Sequence, residues 1–351
     1  LGLSRFNRRM HGKIWIADSR LAILGGRNVG DLYFGASDAS GRLAHDADII
    51  LAGPLVAEAA ALFDRFWNLG LSLPLVTLWP DLRLNAARFR RRLAQRTSAP
   101  LSIQYRDQAI AGRSAEDLLC APLRWIEEVS LLADPPEKAM GHRAEPWLTD
   151  QIADLLQSAR SEIRLTTPYF VPGSRGLSLV TGLAQRGVAV KVLTNSLSTT
   201  DVAGVHAAYS HYRQPLLASG AALWEFAPIR PRRRGLPAGI RGSRDRLHAK
   251  IFLIDGTLAL VGSHNFDMRS AQLNTEFALL FRDSVLGGEL AALFDRQTAP
   301  ESAFALTLED GALHWNIVEG GRKGKERNEP EASILRRLAA WAMAFMPHDW
   351  L

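Results

Sequence analysis

Short apolar runs alternate with turn residues along most of the chain, and one stretch of that pattern occurs twice. Residues 11–28 read HGKIWIADSRLAILGGRN and residues 248–265 read HAKIFLIDGTLALVGSHN. Each copy holds two apolar, β-branched runs around a polar turn, which predicts a pair of strands in a hairpin. In the second copy the strands fall on Lys250–Ile254 and Thr257–Val261, around Asp255-Gly256. In the first they fall on Ile14–Ala17 and Leu21–Leu24, around Asp18, Ser19 and Arg20. The apolar run from Ile49 to Phe63, broken by Gly53, Pro54 and Glu58, predicts a strand, a turn and a helix. Ahead of the second copy lie about a hundred residues of alternating helical and strand character. Helical spacing covers Trp147–Ala159 and Leu177–Arg186, and strand character covers Ile163–Thr167 and Val188–Thr194. Only ten residues precede His11. If the two copies head homologous lobes, the first lacks its opening elements, and the chain is expected to be an N-terminally truncated fragment of a longer protein.

The polar positions of the repeat are as regular as the apolar ones. Each copy has His, then Lys two residues on, Asp at seven, Gly at fourteen and Asn at seventeen. Residues two apart on a strand share a face, so His11 projects with Lys13 and His248 with Lys250. Asp18 and Asp255 fall at the turn and off that face, which gives them a structural role in fixing it. Gly25, Gly26 and Gly262, with Ser263 beside the last, allow a tight turn that brings Asn28 or Asn265 back toward the lysine. Two such sets suit attack on a phosphodiester. One imidazole attacks phosphorus and the other protonates the departing alcohol. Lysines and asparagines stabilise the nonbridging oxygens. No metal or organic cofactor is needed for this chemistry. A histidine nucleophile also needs its second ring nitrogen oriented by a carboxylate. Asp46 or Asp48 in HDADII, and Glu276 in LNTEFAL, are the candidates. The other histidines, His45, His142, His206, His211, His314 and His348, share no repeated pattern and receive no role. His264 receives none either, because its counterpart is Arg27.

Charge and composition narrow the partners. A net charge of +6 favours anionic ones: lipid surfaces, nucleic acid or phosphorylated small molecules. Cys120 is the only cysteine, which excludes an intrachain disulfide and a cysteine metal cluster. No run approaches the roughly 18 apolar residues of a membrane span. The stretch Trp79–Pro100 is predicted helical and carries Arg83, Arg88, Arg90, Arg91, Arg92 and Arg96. Residues 230–244, with Arg232, Arg233 and Arg234, predict a basic loop. Residues 320–331 predict a polar linker, followed by an amphipathic helix over Ala332–Phe345 that ends before Pro347. That helix, with Ile334, Leu335, Leu338, Trp341, Met343 and Phe345, suits a bilayer interface.

The paired HxKxxxxD pattern with trailing GGxN or GSxN resembles the phospholipase D superfamily. The passages RRMHGKIWIADSRLAILGGRNVGDLYF, TPYFVPGSRGL and RLHAKIFLIDGTLALVGSHNFDMRSAQLNTE are similar to bacterial cardiolipin synthases, nearest to their C-type branch. The resemblance implies an α/β fold: a pseudo-twofold pair of α-β-α lobes with mixed sheets, the first lobe incomplete. It divides the chain into a remnant of the first lobe (1–78), a basic helical connection (79–120), a second lobe (121–316), and a polar linker with an amphipathic helix (317–351). It implies phosphatidyl transfer through a phosphohistidine, His11 being the nucleophile and His248 the general acid and later base. Lys13, Lys250, Asn28 and Asn265 then hold phosphate, and Asp46 and Glu276 orient the histidines. Near-equivalence of the two sets leaves the exchanged assignment of the histidines open. The implied substrates are phosphatidylglycerol and a second phospholipid, phosphatidylglycerol or phosphatidylethanolamine. The implied setting is an anionic membrane surface, peripherally on the cytoplasmic side of the bacterial inner membrane, with a monomer supplying both lobes. Hydrolysis to phosphatidate is the alternative. A nuclease is disfavoured, because small nucleases of the superfamily carry one motif and dimerise.

Overall fold

The computed structural model describes residues 7–34, 43–79, 85–98, 103, 123–143, 146–227, 245–319 and 321–344. Cys120, Arg83, the basic stretch 230–244 and the chain from Phe345 on, with Pro347 and His348, lie outside the described residues. The chain divides into two compact units, residues 1–61 with 128–351, and residues 62–127. Both histidine motifs belong to the first unit.

In the first motif, β1 (Lys13–Ala17) and β2 (Leu21–Gly25) form the expected hairpin, with Asp18 and Ser19 at positive φ in its turn. After β3 (Ala44–His45), β4 (Asp48–Ala52) joins β2, giving a three-stranded antiparallel sheet. Helix α1 (Leu55–Trp67) follows. Within residues 62–127, helix α2 (Ala86–Thr97) is capped by the Asn85 side chain, which accepts from the Arg88 backbone. None of its residues is buried, so the arginines here cover a solvated helix.

The second sheet has ten strands among the described residues. In chain order they are β5 (Glu128–Ala133), β6 (Glu162–Thr166), β7 (Ala189–Asn195), β8 (Ala222–Phe226), β10 (Ile251–Ile254), β11 (Leu258–Gly262), β12 (Phe277–Arg282), β13 (Ala303–Glu309), β14 (Ala312–Glu319) and β15 (Arg322–Glu326). Their spatial order is β15-β14-β13-β8-β7-β6-β10-β11-β12-β5. Only the β6-β7-β8 pairings are parallel, and helices α4 (Gly173–Gln185), α5 (Ala203–Ser210) and α6 (Arg213–Ala218) make their crossovers. Helix α3 (Leu148–Gln157) adds Ile152 and Leu156 to the core, against Phe252 and Leu260. Helices α7 (Met268–Gln272) and α8 (Ser284–Gln297) flank β12, and α9 (Ile334–Met343) ends the described chain.

Two features depart from the pattern of the sequence. Residues 320–331, expected to be a polar linker, contain β15, which pairs with β14 from Trp315↔Glu326 to Glu319↔Arg322. Its polarity is that of a charged edge strand, where Arg322, Lys323 and Lys325 keep further strands from pairing. Beyond it, Glu329 joins Arg213 in a buried cluster with His206 and Glu225. The Arg213 guanidinium fills the space between those acids and the imidazole, so the cluster is an internal ion network tying α5, α6 and β8 to the approach to α9.

The lobes also differ in cover. Trp15, Ile23 and Ile50 lie opposite one another across β1, β2 and β4 and are 56%, 41% and 59% exposed. The repeat counterparts of Trp15 and Ile23, Phe252 and Leu260, are buried beneath α3. The first lobe is therefore the smaller half in which no described helix takes the place of α3.

Candidate active site

Two short cross-lobe contacts build the site. β3 pairs in parallel with β9 (Arg246–Leu247), and the ladder continues as His248 and Ala249 both donate to the His45 carbonyl, at 2.8 and 3.0 Å. Asp46 follows β3 directly and His248 follows β9, so this ladder sets Asp46 beside His248. The same arrangement recurs with the lobes exchanged. Met10 bridges Thr275 in parallel, and His11 and Gly12 both donate to the Thr275 carbonyl, at 2.9 and 3.1 Å. That sets Glu276 beside His11. Gly12 is required there, because a Cβ would lie 2.5 Å from the Phe277 ring.

Each histidine is thus oriented by the carboxylate of the other lobe. His11 Nδ1 lies 2.8 Å from Glu276 Oε2, and His248 Nδ1 lies 2.6 Å from Asp46 Oδ2. With Nδ1–H donated, Nε2 is the ring nitrogen of each histidine not taken up by its carboxylate. Of the two aspartates open from sequence, Asp46 takes the orienting position. Asp48 pairs with Arg27 Nε at 2.5 Å.

The supports of the two carboxylates differ where Gly26 and Ser263 correspond. At Gly26 a Cβ would approach Asp46 Oδ1 to 2.4 Å, so glycine leaves room for the short acid. The longer Glu276 instead receives hydrogen bonds from Ser263 Oγ (2.5 Å) and Ser270 Oγ (2.8 Å). Its backbone N–H donates to Asp134, which forms a buried ion pair with Lys138. Burial would raise Glu276, but the hydrogen bond and charge of His11 outweigh it and hold the carboxyl at about 2. Burial pushes Asp46 up to about 6 against the opposing pull of Lys250.

Lys13 Nζ donates to the His11 carbonyl at 2.6 Å and Lys250 Nζ to the His248 carbonyl at 2.5 Å. Burial lowers both ammonium groups to about 8, with Asp46 and Glu276 offsetting part of the effect in each. Each lysine therefore feels the carboxylates of both lobes, which makes one electrostatic site of the two sets. His248 is held well below the usual histidine value by burial, then by Lys250 and Lys13, with His11 contributing. It stands as a neutral ring in a cluster of cations, an arrangement suited to receiving an anion. Asn265 is buried, and its Oδ1 has no hydrogen-bond partner among the described residues. Asn28 Nδ2 donates to the Tyr33 hydroxyl at 2.7 Å.

The remaining motif positions divide. Asp255 accepts backbone N–H groups of Arg160, Ser161 and Glu162, fixing the entry to β6. Asp18 is exposed at its turn, and no such loop is bound to it among the described residues. Gly262 lies so close to β12 that a Cβ would meet the Phe277 carbonyl at 2.2 Å, and Gly25 packs equally tightly on Asp48. His264 is buried against Thr149, where it feels the charges of Glu276 and His11, and burial lowers it to about 4. Three further residues, lying outside the two copies as bounded at 11–28 and 248–265, reach the site: Tyr33, Ser270 and Arg246, the last with Arg9 as its counterpart before His11. Arg246, two residues before His248, shares its strand face, a spacing by which it is detectable in the sequence. It pairs with Asp201 at 2.5 Å, and Asp201 accepts from the Tyr169 hydroxyl. Tyr33 has no aromatic counterpart in the second copy, so comparison of the copies passes over it.

Two lobes that each lend a carboxylate to the other's histidine define a class: a two-lobed α/β protein with one composite histidine-lysine site. Residues 152–298 match the family model described as cardiolipin synthase, PLD-like domain. The chain is 33% identical to cardiolipin synthase C of Escherichia coli K12, over 99% of this chain and 74% of that protein. It is 27% identical to cardiolipin synthase A of Pectobacterium carotovorum, over 90% of this chain and 54% of that protein. Phosphatidylserine synthase of Haemophilus influenzae Rd KW20 shares the fold, with a TM-score of 0.55 and 16% identity over 86% of this chain and 64% of that one. The chain belongs to the phospholipase D-like cardiolipin synthase family.

Proposed function

We propose that the chain is a phosphatidyltransferase that makes cardiolipin from phosphatidylglycerol and a second phospholipid, phosphatidylglycerol or phosphatidylethanolamine, through a phosphohistidine. The observation that carries this reading is the crossed pair, His11 on Glu276 and His248 on Asp46, with Lys13 and Lys250 beside it. His11 Nε2 attacks phosphorus and forms the P–N bond as the P–O bond to the headgroup alcohol breaks. The bound anionic phosphodiester offsets the surrounding cations, so that His248 takes up a proton at Nε2, and this is the proton that the departing oxygen receives. An incoming headgroup hydroxyl then gives its proton to His248 as its oxygen displaces His11 from phosphorus. Lys13, Lys250, Asn28 and Asn265 bind the nonbridging oxygens, where negative charge is greatest in the transition state.

The substrates reside in a bilayer, and α9 fits peripheral contact with an anionic membrane surface. Ile334, Leu335 and Leu338 on this helix are 73%, 80% and 56% exposed. Its polar residues turn inward instead: Arg336 donates to the carbonyls of Ser198 and Thr200, and Arg337 to that of Glu329. The 198–200 turn runs directly into Asp201, the partner of Arg246 at the rim of the site. Helix α9 is thus anchored on the segment that leads to Asp201, and its apolar stripe is left outward for contact with a membrane surface. No helix among the described residues is long and apolar enough to cross a membrane. The reading puts the single chain on the cytoplasmic face of the inner membrane.

The test is product analysis with labelled phosphatidylglycerol vesicles, with and without phosphatidylethanolamine. Cardiolipin is expected. Phosphatidate alone would identify a hydrolase instead. In the double variant Leu335→Glu/Leu338→Glu, turnover on vesicles should fall about tenfold or more while short-chain dispersed substrate is still used; equal rates on both would remove α9 from the account.

A further inference from the structure

The two halves of the site differ at the fifth residue after each motif asparagine, Tyr33 in the first and Ser270 in the second. Ser270 stays within its own half and donates to Glu276. Tyr33 crosses to the opposite half. Its ring meets the His248 ring edge-on with centroids 4.9 Å apart, and its hydroxyl lies 3.4 Å from His248 Nε2. The phenol is fixed there by Asn28 Nδ2 at 2.7 Å, and Arg246 lies over its ring, 5.9 Å from the centroid. The backbone carbonyl of Tyr33 accepts from Arg27 as well. Because His248 Nδ1 is committed to Asp46, Nε2 is the acceptor and the Tyr33 hydroxyl the donor.

The phenol, together with the Lys250 ammonium 3.3 Å away, thus flanks the nitrogen at which a substrate hydroxyl must exchange its proton. We propose that Tyr33 is the positioning residue for the alcohol at His248, and that it biases the covalent intermediate toward an alcohol acceptor over water. The proposal rests on the phosphatidyl-transfer reading, with His248 as the acid-base residue. An oxygen approaching Nε2 has to take over the hydrogen bond that Tyr33 makes. An acceptor lipid does so using binding energy from the rest of its headgroup, which a water molecule lacks. Once displaced from Nε2, the phenol remains held by Asn28 beside the new oxygen and can hydrogen-bond to it. In the second half-reaction the alcohol O–H bond breaks, its proton passes to Nε2, the new P–O bond forms and the P–N bond to His11 breaks. Tyr33 exchanges no proton in this sequence.

The test is Tyr33→Phe, which keeps the ring contact with His248 and removes only the hydroxyl. Cardiolipin and phosphatidate are quantified from one reaction on phosphatidylglycerol vesicles, with thermal unfolding followed in parallel. The phosphatidate-to-cardiolipin ratio should rise about fivefold to tenfold, the factor that one hydrogen bond supplies, while consumption of phosphatidylglycerol changes less. A ratio equal to that of the unsubstituted protein, whether total turnover is kept or both products fall together, overturns the proposal. Failure of the underlying reading shows separately, as an unsubstituted protein that makes no cardiolipin.

Discussion

His11 and His248 occupy equal places in the repeat and unequal places in the molecule. Glu276 is held ionised at about 2 by His11 against its burial, whereas burial brings Asp46 to about 6. Lys13 and Lys250, lowered by burial, lose their protons near 8. The signs give a pH window for activity. The carboxylate beside His248 is lost as pH falls through about 6, and the ammonium charges proposed to hold phosphate are lost as pH rises through about 8. A phosphodiester keeps its single negative charge throughout, so the substrate adds no limb of its own. The expected profile of kcat/KM is a bell between these values. In Asp46→Asn the acid limb should move or vanish, with activity reduced about a hundredfold or more; an acid limb unchanged in that variant would contradict the assignment. At this scale the histidines, lysines and asparagines were legible because both copies display them. The crossing of Asp46 to His248 and Glu276 to His11 was not, because it depends on the β3-β9 ladder and the Met10-Thr275 bridge between distant segments. Tyr33 was invisible for the opposite reason: it belongs to one copy only.

Among elements, the hairpins, β6, β7, α3 and α4 follow the periodicities that announced them, with ends displaced by a residue or a few. The turns were legible too, Asp255-Gly256 and Asp18-Ser19 falling where the hairpins reverse. Edge strand β15 was missed because its Arg, Lys and Glu residues imitate a linker, and only its partner β14 reveals it as a strand. The motif aspartates show how equal signatures acquire unequal duties. Asp255 binds three backbone N–H groups ahead of β6, and their pull outweighs burial to bring its carboxyl to about 2. Asp255→Ala should therefore lower stability by about 2 kcal/mol, as measured by urea unfolding. Asp18→Ala should change it by less than about 0.5 kcal/mol. Equal losses would mean that the two turns carry the same load, against the structure.

At the scale of the molecule, the duplication announces a two-lobed α/β fold with one shared site. The exposed ladder Trp15-Ile23-Ile50, against the covered Phe252 and Leu260, shows how far the lobes have diverged in what packs on them. What the sequence could not show is that neither lobe holds a complete site. Each lends the other its orienting acid, and the lysines of both share one field. Covalent trapping examines this central claim most directly. The protein is mixed with vesicles of phosphatidylglycerol labelled at phosphorus, quenched under alkaline denaturing conditions, and mapped by mass spectrometry. The account predicts a phosphatidyl group on His11, absent in His11→Ala and strongly reduced in Glu276→Gln, although Glu276 lies in the opposite lobe. Cardiolipin formed with no labelled histidine, or a label unaffected by Glu276→Gln, would contradict it.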